Sequence, residues 1–248
     1  MDGEIRIEKK ETAVELNGLA PDRVRSLRVY ANKKTDLAFL SDYPRVEELI
    51  LRGDFTDAAG LNGLHSLRKL VMYLNLPVDF SNVRCDALEI LSASCAVDET
   101  FPAFFTENLR ELELGSIRGL KSLSFLEQAV GLKKLYLNAL PGVEALPDFR
   151  KLSKLFALNI YELHKLRDIE SLKDSAVEYL GFTLAADKLS GTGIAKILLA
   201  MEKLKGADMV YMDRSSVRRY NVVENILKKE GREELLNYQM NYGDWEKL

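Results

Sequence analysis

Cysteine and histidine are scarce in this chain, with two of each in 248 residues. Two cysteines are too few to staple a secreted scaffold, so Cys85 and Cys95 are expected as buried or half-buried thiols in a reducing compartment. They lie ten residues apart, which leaves pairing open as an alternative. His65 and His164 fall at different phases of the chain, with no Cys or carboxylate at ligand spacing, so turn or surface positions are expected and no metal site. Excess basic charge is also missing. The net charge of −3 provides no field to collect nucleic acid. No apolar run reaches the length of a membrane span, and Met1 to Arg6 lacks the basic-then-apolar order of a secretory signal. The expectation is a cytoplasmic protein off the membrane. Nor is there a clustered nucleophile and base. Gly191-Thr192-Gly193 precedes a helical pattern, but Lys196 does not complete a phosphate-binding loop. No catalytic residue and no cofactor is expected, and the carboxylates are assigned to solvated faces.

What the chain has is repetition. Leu109-Arg110-Glu111-Leu112-Glu113-Leu114 returns as Leu132-Lys133-Lys134-Leu135-Tyr136-Leu137 and as Leu155-Phe156-Ala157-Leu158-Asn159-Ile160, at a spacing of 23 residues. Frames with apolar first, fourth and sixth positions start at Val24, Val46, Leu67, Leu88, Leu109, Leu132, Leu155 and Val177, with a degenerate ninth at Ala207. The steps are 21 to 23 residues, then 30 for the last. Such a period marks one supersecondary unit stacked many times. Between frames the apolar residues recur every third position, as in Ile117, Leu120, Leu123 and Leu126. That spacing predicts 3₁₀ or extended returns, and repeats of this length leave little room for a long helix.

These frames resemble the leucine-rich repeat family, in its short irregular bacterial or phosphatase-regulator-like form. The resemblance implies an α/β repeat solenoid, a horseshoe with a parallel β-sheet on its concave side and a mostly 3₁₀ or irregular convex side. One departure stands out. The family places Asn at the ninth position, where it bonds to neighbouring backbone. Here that column begins Asn32, Asp54, Asn75 and then turns to Ala96, Ile117, Leu140 and Leu163. Later frames are expected to turn by apolar packing.

The flanks differ. Alternating Ile5, Ile7, Val14 and Leu16 predict two short strands capping the first repeat, residues 1–23. Repeats are assigned to 24–215. Helical spacing of Ile194, Ile197, Leu198 and Met201 after Ser190-Gly191 predicts a helix over Gly193 to Lys203. Residues 216–248 are assigned to a C-terminal helical cap that includes Trp245, with Gly231 as a candidate break; a partner-docking tail is the alternative.

Side chains alternate along a strand, so third, fifth and seventh positions face away from the core. Six of the ten tyrosines fall in those columns. At the second position Arg25, Glu47, Arg68, Glu89 and Arg110 alternate in sign, so the first half of the face neutralises itself. The second half gathers Tyr136, Tyr161, Tyr179, Met209 and Tyr211 with Asn138, Asn159 and Thr183. Aromatic anchors among small polar residues are the usual content of a protein-binding hot spot. The expected function is a monomeric interaction module that binds another protein through this face, as inhibitor, immunity protein or scaffold. The alternatives are a substrate-positioning subunit of an enzyme complex and a surface adhesin or receptor fragment.

Overall fold

The computed structural model describes residues 2–238, which fall into two compact units divided after Ile117. Met240 and Trp245, assigned above to the C-terminal cap, lie outside the described residues.

The first unit opens with β1 (Gly3–Ile7) and β2 (Thr12–Glu15), the antiparallel pair expected from the alternating apolar residues. β1 also runs parallel to β3 (Ser26–Thr35), so it covers the first repeat strand. β3 is followed in parallel register by β4 (Glu48–Phe55), β5 (Lys69–Leu74), β6 (Ile90–Ser94) and β7 (Glu111–Gly115). The second unit continues the pattern with β8 (Lys134–Asn138), β9 (Ala157–Tyr161), β10 (Tyr179–Thr183) and β11 (Gly206–Val210), paired in parallel in that order. Returns are short 3₁₀ turns, such as Ala38–Asp42, Ala59–Gly63, Ser124–Gln128 and Phe149–Lys151. This is the leucine-rich repeat solenoid that the sequence predicts.

The frame explains the core. In the eight frames from Val24 to Val177, no residue at the first, fourth or sixth position is more than 2 % exposed. Each buried Leu, Ile or Val contributes roughly 1.5–3 kcal/mol relative to exposure, so the repeated triplet is the main stabilising term in every repeat. The every-third residues of the returns, including Leu123, Leu126, Leu163 and Leu166, close the core from the other side. Cys85 and Cys95 are free and buried, and burial pushes both thiols up to about 12, which keeps them protonated and inert.

The early and the later frames turn by different devices. Asn75 donates to the Asp54 side chain at 2.9 Å and Asn32 to the Glu8 side chain at 2.9 Å. The early polar ladder therefore bonds to side chains. In later frames the eighth residue takes the left-handed conformation, at Ser116, Ala139 and Glu162, all with φ between 50° and 57°. Apolar ninth residues Ile117, Leu140 and Leu163 then drop into the core.

A second ladder starts the returns. Asp36, Asp57, Asp79, Asp98, Asp148 and Asp168 each accept the backbone N–H two residues on, at 2.8 to 3.1 Å. Ser122 does the same for Ser124 at 3.2 Å. A carboxylate in this position imitates a backbone turn and sets the chain into its 3₁₀ path. Several carboxylates assigned to solvated faces are thus structural.

Asp148 is the best held of them. The Arg150 guanidinium binds both its oxygens, at 2.9 and 2.7 Å, and with the Arg150 N–H holds its carboxyl down at about 2. A depressed folded pKa gives stability that is present above the unfolded value near 4 and lost as pH falls towards 2. Solvent exposure keeps this contribution small. Thermal melts of Asp148→Asn should lie below those of the parent at pH 7, and the gap should close between about pH 4 and pH 2. A gap that persists unchanged at pH 2 would assign the effect to lost packing.

The C-terminal elements are α1 (Gly191–Ala200) and α2 (Arg214–Lys229). Ser190 caps α1 by accepting the Gly193 N–H at 3.0 Å, so this glycine stretch starts a helix. A Cβ on Gly191 would sit 2.7 Å from the Arg219 carbonyl oxygen, so the missing side chain lets α1 and α2 approach. Asp213 and Ser216 form a capping box on α2. Gly231, at φ +67°, ends the helical run, and a 3₁₀ turn (Glu233–Asn237) stands where a second helix was a candidate.

Candidate functional site

The candidate face is the side of β8 to β11 opposite the core. Register places its columns without ambiguity. Tyr136 lies beside Asn159, and Asn138 beside Tyr161. Asn159 lies beside Gly181, and Gly181 beside Asp208. Thr183 pairs with Val210, and Tyr179 with Gly206.

That register corrects the ninth frame. Ala207 pairs with Leu180 and Met209 with Phe182, so they hold fourth and sixth positions, and the frame opens at Leu204. Met209, expected on the binding face, is a core residue at 6 % exposure. Tyr211 lies past the end of β11 and is 50 % exposed. Asp208 and Val210 take the face positions. The misplacement has a simple origin: Leu204-x-x-Ala207-x-Met209 and Ala207-x-x-Val210-x-Met212 fit the apolar triplet equally well. Charge at the second position separates them, because Lys205 pairs with Glu178 at 2.7 Å.

The remaining expected residues divide by burial. Tyr136 and Tyr161 stack with ring centroids 5.5 Å apart and planes at 23°, both half-buried, with Asn138 half-buried beside them. Burial pushes the Tyr161 phenol up, with the charge of Asp208 adding to it, so it stays a protonated hydrogen-bonding group at neutral pH. Asn159 and Thr183 are buried, at 4 and 5 % exposure. Their Oδ1 and Oγ1 atoms have no hydrogen-bond partner among the described residues. Gly181 makes room for Asn159, since a Cβ there would lie 1.7 Å from Oδ1. Tyr179 is not open. The Tyr238 ring packs on it at 5.0 Å, and Tyr238 also sits over Gly206, where a Cβ would meet its own Cβ at 2.5 Å.

The first unit arranges its tyrosines differently. Arg6 lies over Tyr30 at 5.7 Å and Arg52 over Tyr73 at 5.8 Å. Arg25 and Glu47 form an ion pair on neighbouring strands, as the alternating second positions predict. These two rings and this ion pair are matched within the face itself. His65 and His164 are both exposed. Asp208, Gly181, Tyr220 and Tyr238 were not singled out from the sequence. The Glu178–Lys205 charge match could have found Asp208, whereas nothing periodic marks Tyr220 or Tyr238.

No family model matches the sequence, and no curated protein matches it. Among solved structures, the chain is similar to an internalin from Listeria monocytogenes strain 4b F2365, at 13 % identity and a TM-score of 0.33, over 88 % of this chain and 81 % of the other. At that level the likeness carries no functional information.

Proposed function

We propose that the chain is a non-enzymatic interaction module that binds another protein through the face of β8 and β9 that carries Tyr136, Asn138 and Tyr161. The reading rests above all on the stacked Tyr136–Tyr161 pair, held in the middle of that face with Asn138 at its side. Two rings in contact present a large, rigid area with polar tips, at little cost in side-chain entropy. Inhibition, toxin neutralisation and scaffolding all fit such a surface. A cytoplasmic location agrees with two free buried thiols.

The test is a comparison of purified variants. Tyr136→Ala with Tyr161→Ala should weaken partner binding by at least about tenfold, since hot-spot truncations cost about 2 kcal/mol or more. Asp36→Asn, which keeps the return turn and lies on the first unit, should bind as the parent does. Equal affinity of parent and double variant, with both folded, would refute the reading.

A further inference from the structure

In the first unit the sheet ends at β2, and among the described residues no strand pairs with its outer side. We propose that this edge takes up one more strand, an extended segment of a partner protein that reads basic, apolar, any residue, apolar, basic. The proposal goes beyond the reading above and stands on other residues.

The backbone defines the edge. The Glu8 N–H donates to the Glu11 carbonyl at 2.9 Å, which makes these two a hydrogen-bonded pair. Bonded and non-bonded pairs alternate along an antiparallel ladder. Arg6↔Ala13 and Glu4↔Glu15 are therefore the next bonded pairs, with Ile7↔Thr12 and Ile5↔Val14 between them. Thr12 and Val14 thus turn their N–H and C=O groups away from β1. All four residues of β2 are exposed, Val14 at 53 %. Thr12-Ala13-Val14-Glu15 contains neither the proline nor the lysine with which edge strands commonly discourage pairing.

The side chains specify the strand that fits. Thr12 and Val14 share a face with Ile7 and Ile5, and a hollow of about 460 Å³ lies against that face. Ile5, Ile7, Val14, Phe39 and Tyr43 give it apolar walls. Lys33, Lys34, Asp36 and Asp42 also line it, two charges of each sign, so the hollow itself selects no charge. Residues set beside Thr12 and Val14 on a new strand project over it, and apolar ones bury surface there. Glu11, Ala13 and Glu15 stand on the opposite face. Glu15 lies directly across from Glu4, and Glu11 across from Glu8. Like charges so placed destabilise a ladder. Glu4 is paired with Arg6 and Arg28, and Glu8 accepts from Asn32 at 2.9 Å. Glu11 and Glu15 are both exposed and have no side-chain partner among the described residues; neither Lys9 nor Lys10 of the turn pairs with them. A cation beside each, on the incoming strand, supplies what this edge lacks.

The test uses the full chain, ¹⁵N-labelled, and a capped peptide of sequence SKVSVKS, which reads the same in both directions. It should give saturable shifts at the amides of Thr12 and Val14, with a Kd of about 2 mM or tighter. The counterpart SEVSVES should bind at least about fivefold more weakly, because two cross-strand charge pairs change sign. The lysine peptide N-methylated at every residue should not bind, since it has no N–H to give to the edge. Glu11→Lys combined with Glu15→Lys should reverse the preference between the two peptides while the rest of the spectrum is unchanged. No saturable shift at these amides, equal binding of the N-methylated peptide, or an unaltered preference in the double variant would overturn the proposal. Concentration-dependent shifts of the same amides in the chain alone would also overturn it, in favour of a second copy on this edge. Tyr136 and Tyr161 enter none of these results, so the edge can fail while the face of β8 and β9 binds, and the reverse.

Discussion

Gly53→Ala should lower the thermal midpoint by roughly 6–12 °C, about 3 kcal/mol for a chain of this size. Gly53 sits in β4 at φ +126°, a conformation that residues with a Cβ rarely adopt. The added carbon would lie 2.0 Å from the Ala31 carbonyl oxygen and 2.8 Å from its carbon. Both are backbone atoms of β3, so no rotamer change relieves the clash. The cause is a bulge. Between Ala31↔Gly53 and Thr35↔Phe55, β3 advances four residues while β4 advances two. The extra residues bring the β3 backbone against β4, and only a glycine lets the two strands stay paired there. Calorimetry on parent and variant gives the answer. A midpoint within 2 °C of the parent would mean that the bulge rearranges freely, contrary to its place in a paired sheet.

Phe101→Ala should be as damaging, for a different reason. Phe101 is fully buried and touches three other rings: Phe80 at 5.9 Å, Phe104 at 5.6 Å and Phe105 at 5.9 Å. The return between β6 and β7 has no long helix to fill its interior, and these rings do that work. Truncation loses the transfer energy of the ring and leaves a cavity walled by rigid aromatics, which collapse poorly. A cost of about 3–5 kcal/mol is expected. Phe105→Ala, at the half-exposed margin of the cluster, should cost clearly less. Equal losses in denaturant titrations would show that the cluster yields as a unit, contrary to this picture.

The repeats were legible because burial acts on a fixed period. Every frame from Val24 to Val177 places its triplet in the core, and the three-residue spacing of the returns became 3₁₀ turns. Legibility failed where the period broke. The last frame has a small Ala207 in place of a leucine and follows the inserted helix α1, so its phase had two solutions. That slip put Met209 on the face and left Asp208 unnoticed, since a shift of three residues exchanges the two sides of a strand. Asn159 and Thr183 were assigned to the right face, but sequence carries no sign that their neighbours bury them. The covering of Tyr179 by Tyr238 is likewise a tertiary event between residues far apart in the chain. The aspartates that start the returns were visible in the sequence, yet their spacing varies from one return to the next, and a count of charges does not separate a turn from a solvated face.

Whether the open face of the second unit binds a partner is tested most directly by photocrosslinking in cells of the source organism. A photoreactive phenylalanine analogue is placed at Tyr136 in one strain and at Arg150, on a return turn, in another. The account predicts one dominant protein adduct from position 136 and none of it from position 150. The same adduct from position 150 alone would put the partner on the opposite side of the repeats and contradict the account.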